Sequence, residues 1–158
     1  MSSTFLALLN HAFKSKLFLL TKLPAAFFSG VRLKQATAEA CVTTVPYKWF
    51  SQNPFRSTYF ACLAMAAELS TGALAMAHIY KRSPAVSMLI VKMEANYFKK
   101  ATGRTTFTCS DGLRMKELVE KAITTGEAQT FTARSIGINA EGQQVAEFLF
   151  TWSFKAKR

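Results

Sequence analysis

One carboxylate in this sequence lies where ionised side chains are rarely found. Glu68 falls near the end of FACLAMAAEL (60–69), and no other Asp or Glu occurs between Glu39 and Glu94. Because moving an unpaired charge out of water is costly, the pKa of such a carboxyl group is expected to rise, and the group could act as a general base or nucleophile. The alternative is a structural carboxyl group, either protonated and hydrogen-bonded in the core or paired with an arginine such as Arg134.

A second candidate group lies just before this acid. Asn53 stands in an Asn-Pro loop and could orient a water molecule or an acyl carbonyl, or simply organise the loop. The residues that follow begin a helix whose backbone N–H groups could polarise a carbonyl. They are Ser57, Thr58, Tyr59, Phe60 and Ala61. Ser57 and Thr58 are expected to cap the helix rather than act as nucleophiles, because no base stands beside them in sequence.

The chain is strongly basic. Its 158 residues include 20 Lys and Arg against nine acidic residues, a formal net charge of +11. This charge favours anionic partners such as nucleic acid, an anionic membrane or a phosphorylated ligand. Nucleic acid is not expected, because there is no zinc finger, RNA-recognition motif or basic helix. Lys99, Lys100 and Arg104 form either a phosphate site or a solvated turn.

Cysteine and histidine usage argues against a disulfide framework or a metal site. Cys41, Cys62 and Cys109 are odd in number and widely spaced, and the histidines, His11 and His78, are isolated. The expected location is therefore a reducing cytoplasm, and no metal is expected.

Hydrophobic periodicity and turn residues indicate the elements and, without an internal repeat or linker, a single domain over 1–158. Apolar residues at helical spacing predict one amphipathic helix over 1–22, packed on the domain or, as the alternative, lying on a membrane surface. Strands are predicted within 31–45, 88–98, 103–112, 128–140 and 143–155, and helices at about 58–80 and 113–126. In the last strand, the alternating residues Ala146, Phe148, Phe150, Trp152 and Phe154 indicate a buried face.

The central helix decides the fold class. Its length would suffice to cross a bilayer, but it contains Glu68, Ser70, Thr71 and His78, so no transmembrane segment is expected. A helix that is apolar on all sides must be covered on all sides. A curved antiparallel sheet wrapped around the helix would provide this cover, and alanines would let the sheet approach closely. The prediction is therefore an α+β hotdog fold.

The order of elements and one spacing resemble hotdog acyl-CoA thioesterases of the phenylacetate-pathway type. In those proteins Asn is followed by five residues, His-Gly-Gly, six residues and an acid; here Asn53 and Glu68 stand at the matching ends, with Tyr59-Phe60-Ala61 between them. ANYFKKATGRTTFTCS and INAEGQQVAEFLFTWSF resemble the family's later strands and final hairpin. Loss of His-Gly-Gly places the chain nearest an uncharacterised branch of the superfamily.

This resemblance implies hydrolysis of an acyl-CoA or acyl-carrier-protein thioester, with Glu68 and Asn53 as catalytic residues. It also implies that residues 57–61 bind the thioester and that Lys99, Lys100 and Arg104 bind CoA phosphates. Coenzyme A enters only as part of the substrate, so no separate cofactor is expected. A homodimer is expected, which could pair into a tetramer. The alternative is a non-catalytic hotdog protein that binds an acyl-CoA or fatty-acyl chain.

Overall fold

The structure is a computed structural model that describes residues 3–157. In this range the helices are α1 (Ser3–Asn10), α2 (Ala12–Lys22), α3 (Pro24–Phe28), α4 (Phe60–Ile79) and α5 (Gly112–Thr125), with a short 3-10 helix at Trp49–Ser51. The strands are β1 (Arg32–Ala36), β2 (Cys41–Val45), β3 (Val86–Tyr97), β4 (Thr105–Cys109), β5 (Gln129–Ile138) and β6 (Gln144–Ala156).

The six strands form one antiparallel sheet wrapped around α4. Their order is β1-β2-β4-β5-β6-β3, and α4 packs against β1, β2, β4, β5 and β6. Only a curved sheet can contact a single helix through so many strands. The predicted hotdog fold is therefore confirmed, with the central helix two residues from its predicted start.

Close contact between α4 and the sheet explains the composition of the helix. By length and composition α4 could cross a membrane, but 67% of its most apolar 18-residue window is buried inside the protein, as in the core helix of a hotdog fold. Buried polar contacts also hold it to the sheet. The hydroxyl oxygens of Ser70 and Ser135 lie 2.8 Å apart, and Trp152 Nε1 donates to Thr71 Oγ1 at 3.1 Å. Thr43 Oγ1 on β2 donates to the Ala66 carbonyl at 2.6 Å. These hydrogen bonds satisfy the buried polar side chains and so offset the loss of their contacts with water.

The residues that β3 places on the inner face of the sheet differ from those predicted. The prediction placed Leu89, Val91, Met93, Ala95 and Tyr97 on one buried face. A bulge at Val91 changes the alternation, because Ile90 pairs with Trp152 and Lys92 with Thr151. Met93, Ala95 and Tyr97 therefore share the face of the buried β6 residues, whereas Leu89 does not. Met93 and Tyr97 are still 48% exposed, because β3 forms an edge of the sheet that α4 does not cover.

The N-terminal segment forms two helices where one was predicted. The helices break at His11, whose Nδ1 accepts a weak hydrogen bond from Lys14 N–H at 3.4 Å and so caps α2. The break separates the apolar positions into two groups. Phe5 and Leu9 on α1 and Leu19 on α2 are buried, whereas the other apolar positions of α2 do not form the single buried stripe that the repeat predicts.

Candidate active site

Glu68 lines an apolar cavity. The cavity has a volume of about 460 Å³ and lies between α4, the N-terminal helices and the start of β3. Its walls are Phe5, Leu8, Phe18, Lys22, Leu23, Leu69, Gly72, Ala73, Met76, Tyr80 and Met88, in addition to Glu68. We call it the acid cavity. Burial disfavours the ionised carboxylate and raises the pKa of Glu68 from 4.5 to about 7.

No hydrogen bond or ion pair to the Glu68 side chain occurs within residues 3–157. The alternative pairing of Glu68 with Arg134 is wrong. The Arg134 guanidinium binds the Glu147 carboxylate, with Nε 2.7 Å from Oε2, and the Arg134 backbone N–H donates to Asp111. The Glu68 carboxyl group is thus half-protonated near pH 7 and faces a cavity rather than a protein partner. Those are the properties of a general base.

Gly72 provides the space that this carboxyl group occupies. A Cβ at position 72 would lie 2.7 Å from Glu68 Oε1 and 3.3 Å from the six-membered ring of Trp152. Glycine inside a helix is unfavourable by about 1 kcal/mol relative to alanine, so the contact explains a locally unfavourable residue. The sequence pointed to this position only through the exception that Gly72 makes among good helix formers.

The start of α4 is organised differently from the prediction. Tyr59 is the N-cap and makes no side-chain capping bond, so Ser57 and Thr58 do not cap the helix. They are held elsewhere: Ser57 N–H donates to Asn53 Oδ1 at 3.1 Å, and Thr58 Oγ1 donates to the Ala101 carbonyl at 3.1 Å. Asn53 thus organises the loop, because its Oδ1 also accepts from Phe55 N–H.

Two backbone donors remain available at this helix start. Cys62 N–H bonds the Tyr59 carbonyl, and Tyr59 N–H bonds the Ser51 carbonyl. Within residues 3–157, no partner accepts from the N–H groups of Phe60 and Ala61. Unpaired N–H groups in the first turn of a helix can stabilise an oxyanion.

A second cavity, of about 570 Å³, adjoins this helix start. We call it the loop cavity. It is lined by Asn53, Pro54, Phe55, Ser57, Thr58, Tyr59, Phe60, Leu63, Tyr97, Phe98, Lys99, Lys100 and Ala101. Two of the three predicted phosphate-binding residues, Lys99 and Lys100, therefore lie with Asn53. Arg104 instead lines a separate cleft with Arg32, Lys34 and Lys48.

The structure does not bring the two predicted catalytic residues together within one chain. Glu68 lines the acid cavity and Asn53 the loop cavity. Phe60 and Glu68 are eight residues apart on α4, which is about 12 Å along the helix axis. Moreover, the position of Glu68 Oε1 beside Gly72 turns the carboxylate away from the helix start. One thioester cannot contact both groups of the same protomer.

Other reactive side chains are poor candidates. Cys41 and Cys109 face each other on β2 and β4 as buried thiols, and burial raises the pKa of each to about 12. His78, also buried, lies ten residues beyond Glu68 on α4. In the part of the chain that the structure describes, no three His, Cys, Asp or Glu side chains are grouped to hold a metal ion.

Comparison with solved structures supports the fold assignment. A Pseudomonas aeruginosa protein of unknown function, named as a "Probable Thioesterase", is 20% identical with a TM-score of 0.79, covering 92% of this chain and 96% of its own. A Haemophilus influenzae thioesterase is 14% identical, with a TM-score of 0.63 and coverage of 89% and 88%. A mutant P. aeruginosa thioesterase is 16% identical, with a TM-score of 0.66 and coverage of 99% and 97%.

These similarities confirm the resemblance to hotdog proteins at the level of the fold. A search of curated proteins finds no match. The family model described as "Domain of unknown function (DUF4442)" matches residues 14–154, nearly the whole chain. The chain is therefore a member of the DUF4442 family, with a hotdog fold.

Proposed function

We propose that this protein hydrolyses acyl thioesters with Glu68 as the general base. The observation that carries the proposal is a carboxyl group with a pKa near 7, without a protein partner, in the wall of an apolar cavity. Thioesterases among the proteins of the same fold make this chemistry a reasonable assignment. The substrate is an acyl-CoA or an acyl-carrier protein, whose anionic carrier suits a chain of net charge +11.

The reaction has two stages. The Glu68 carboxylate takes a proton from water as the water oxygen attacks the thioester carbonyl. The free N–H groups of Phe60 and Ala61 in a second copy of the chain stabilise the oxyanion. When the tetrahedral intermediate collapses, the C–S bond breaks and the thiolate leaves with the proton held by Glu68. The carboxylate is regenerated, so no cofactor is required.

The acyl group occupies the acid cavity. Along α4 this cavity is bordered by residues of one helix face, from Glu68 through Gly72 and Met76 to Tyr80 just after the helix. This path is about 18 Å long, and the Tyr80 ring stacks on Phe5 at a centroid distance of 4.8 Å. An apolar space of this length suits an extended acyl chain, each buried methylene of which contributes about 0.8 kcal/mol.

A homodimer would complete the site. Met88 near the start of β3 lines the acid cavity, and Tyr97 at its end lines the loop cavity. If two copies pair their β3 edges antiparallel about a two-fold axis, Met88 of one protomer approaches the partner's Tyr97. Glu68 then meets the helix start and lysines of the other copy. Exposed Met93 and Tyr97 on the inner sheet face support such pairing, because an uncovered edge is otherwise unfavourable.

A non-catalytic acyl-binding protein is the second candidate. Phe60 is exposed directly beside the free N–H groups, in a position where the phenylacetate-pathway pattern has glycine. A ring there narrows the approach of a thioester to these donors. Such a protein would bind acyl-CoA in the same cavities without turnover.

The test measures the hydrolysis of acyl-CoAs of increasing chain length, with thiol release as the signal. The wild type should turn over at least one of them, and Glu68→Gln should remove the activity, whereas Glu141→Gln, in an exposed turn, should keep it. Full activity in Glu68→Gln contradicts the mechanism. Saturable binding without turnover by the wild type supports the second candidate instead.

Dimerisation is tested separately. Met93→Lys places a charge on the β3 edge and should convert a dimer to a monomer in sedimentation analysis, with loss of turnover. Leu113→Lys, at another exposed apolar position, is the control and should remain dimeric. A Met93→Lys variant that is monomeric and fully active would show that one chain is sufficient.

A further inference from the structure

Helix α2 carries an apolar stripe that points away from the protein. Phe13, Leu17 and Leu20 are 70%, 49% and 40% exposed and lie at i, i+4 and i+7, on one face of the helix. Ser15 and Leu19, which are buried, lie on the opposite face. The helix is therefore apolar on two sides, only one of which the fold covers.

Basic side chains border this outer stripe. At 100° per residue, Lys14 lies on one side of the stripe and Lys16 on the other, and both are exposed. Their aliphatic portions can lie along an apolar surface while the ammonium groups reach outward. We call Phe13, Lys14, Lys16, Leu17 and Leu20 the outer face of α2.

The exposed apolar surface is not confined to α2. Phe28 on the adjoining α3 is exposed, and its ring lies 6.4 Å from Phe50, which in turn lies 4.8 Å from Trp49. Trp49 is 74% exposed. The neighbouring cleft contains four basic side chains, Arg32, Lys34, Lys48 and Arg104. Exposed aromatic residues beside a basic cluster repeat the composition of the outer face.

We propose that the outer face of α2 docks on an anionic membrane surface. An in-plane helix with Phe and Leu on one side and flanking lysines gains from burial of apolar area among the lipids and from attraction to anionic headgroups. The chain's charge of +11 adds long-range attraction. Charge complementarity selects this partner over a second copy of the chain, because two such faces meeting would bring Lys14 and Lys16 against like charges.

Docking has a consequence for the acid cavity. Phe18, Lys22 and Leu23 line that cavity from the end of α2 and the residue after it. A membrane at the outer face would therefore lie one helix diameter, about 10 Å, from the cavity. This docking does not depend on the proposed hydrolysis, and either could fail alone.

Co-sedimentation with vesicles tests the proposal. The full chain should bind vesicles of phosphatidylcholine with phosphatidylserine far better than phosphatidylcholine alone, and the binding should weaken as salt is raised. Lys14→Glu with Lys16→Glu should weaken it about 30-fold or more, since each lysine near such a surface contributes about fivefold. Phe13→Ser with Leu17→Ser and Leu20→Ser should weaken it at least tenfold.

Matched controls lie on α5. Lys116→Glu with Lys121→Glu makes the same change in net charge at exposed positions, and Leu113→Ser removes an exposed apolar side chain. Leu113→Ser should bind as well as the wild type, and the double charge variant should lose only a modest part of its binding through its lower net charge. The proposal is overturned by failure to bind anionic vesicles or by equal losses in the α2 and α5 variants. It is also overturned if the triple serine variant changes the oligomeric mass and leaves vesicle binding intact, because the face would then be an interface between copies.

Discussion

Ionisation of Glu68, which the proposed catalysis requires, should make the folded protein less stable. The pKa of Glu68 rises from 4.5 to about 7 on folding because the carboxyl group loses water. Between these values the folded protein retains a proton that the unfolded chain has lost, so the free energy of unfolding falls as the pH rises through this window. One pH unit corresponds to about 1.4 kcal/mol, so the loss approaches about 3 kcal/mol and is complete above pH 7.

Glu68→Gln isolates this effect because the amide is neutral at every pH. Relative to the wild type, the variant should gain up to about 3 kcal/mol in stability between pH 4 and pH 8, while hydrolysis is lost. Urea denaturation followed by tryptophan fluorescence measures the difference at each pH, and contributions from other titrating groups cancel in the comparison. Glu141→Gln, at an exposed turn position, controls for the loss of one charge.

A stability difference between Glu68→Gln and the wild type that does not change with pH would refute this reasoning. It would mean that folding leaves the ionisation of Glu68 unchanged, and hence that the cavity does not desolvate the carboxylate. In the active wild type, kcat/KM should also rise with pH with a midpoint near 7, because only the ionised form accepts a proton from water.

Two other perturbations test the support of the site. Gly72→Ala should displace the Glu68 carboxyl group and lower kcat/KM at least tenfold in the thiol-release assay, whereas stability should change by no more than about 1 kcal/mol because alanine favours the helix. Ser70→Ala should cost about 1–3 kcal/mol in urea denaturation by leaving the Ser135 hydroxyl unpaired in the core, and the double alanine variant should cost less than the sum of the single variants.

The sequence predicted most of the fold because each element has its own local pattern. The strict alternation of β6 identified Phe148, Phe150, Trp152 and Phe154 as buried, and the structure confirms all four. The all-apolar composition of α4 required cover on every side, which predicted the wrapped sheet. Gly126, in the left-handed conformation with a φ of 72°, ends α5 at the predicted residue.

The predictions were wrong where the structure depends on which other segment a residue contacts, because local sequence patterns do not determine that contact. The alternation of β3 is correct only after Val91, because the bulge depends on pairing with β6. The apolar repeat of the N-terminal segment matched one long stripe, but the break at His11 divides it between two helices. Ser57 and Thr58 are residue types that often cap helices. Here the Ser57 N–H donates to Asn53 and the Thr58 hydroxyl donates to the Ala101 carbonyl, and neither side chain caps α4.

What the sequence determined alone is that Glu68 must be a costly carboxylate in an apolar helix, because neighbouring residues set the helix and its composition. Its distance from Asn53 along the chain, fifteen residues, did not establish proximity in space. Tertiary structure decided that the Glu68 carboxyl group lies beside Gly72 in the wall of one cavity, whereas Asn53 lines another. The physical reason is that cavities form between elements, so their walls are chosen by packing rather than by local sequence.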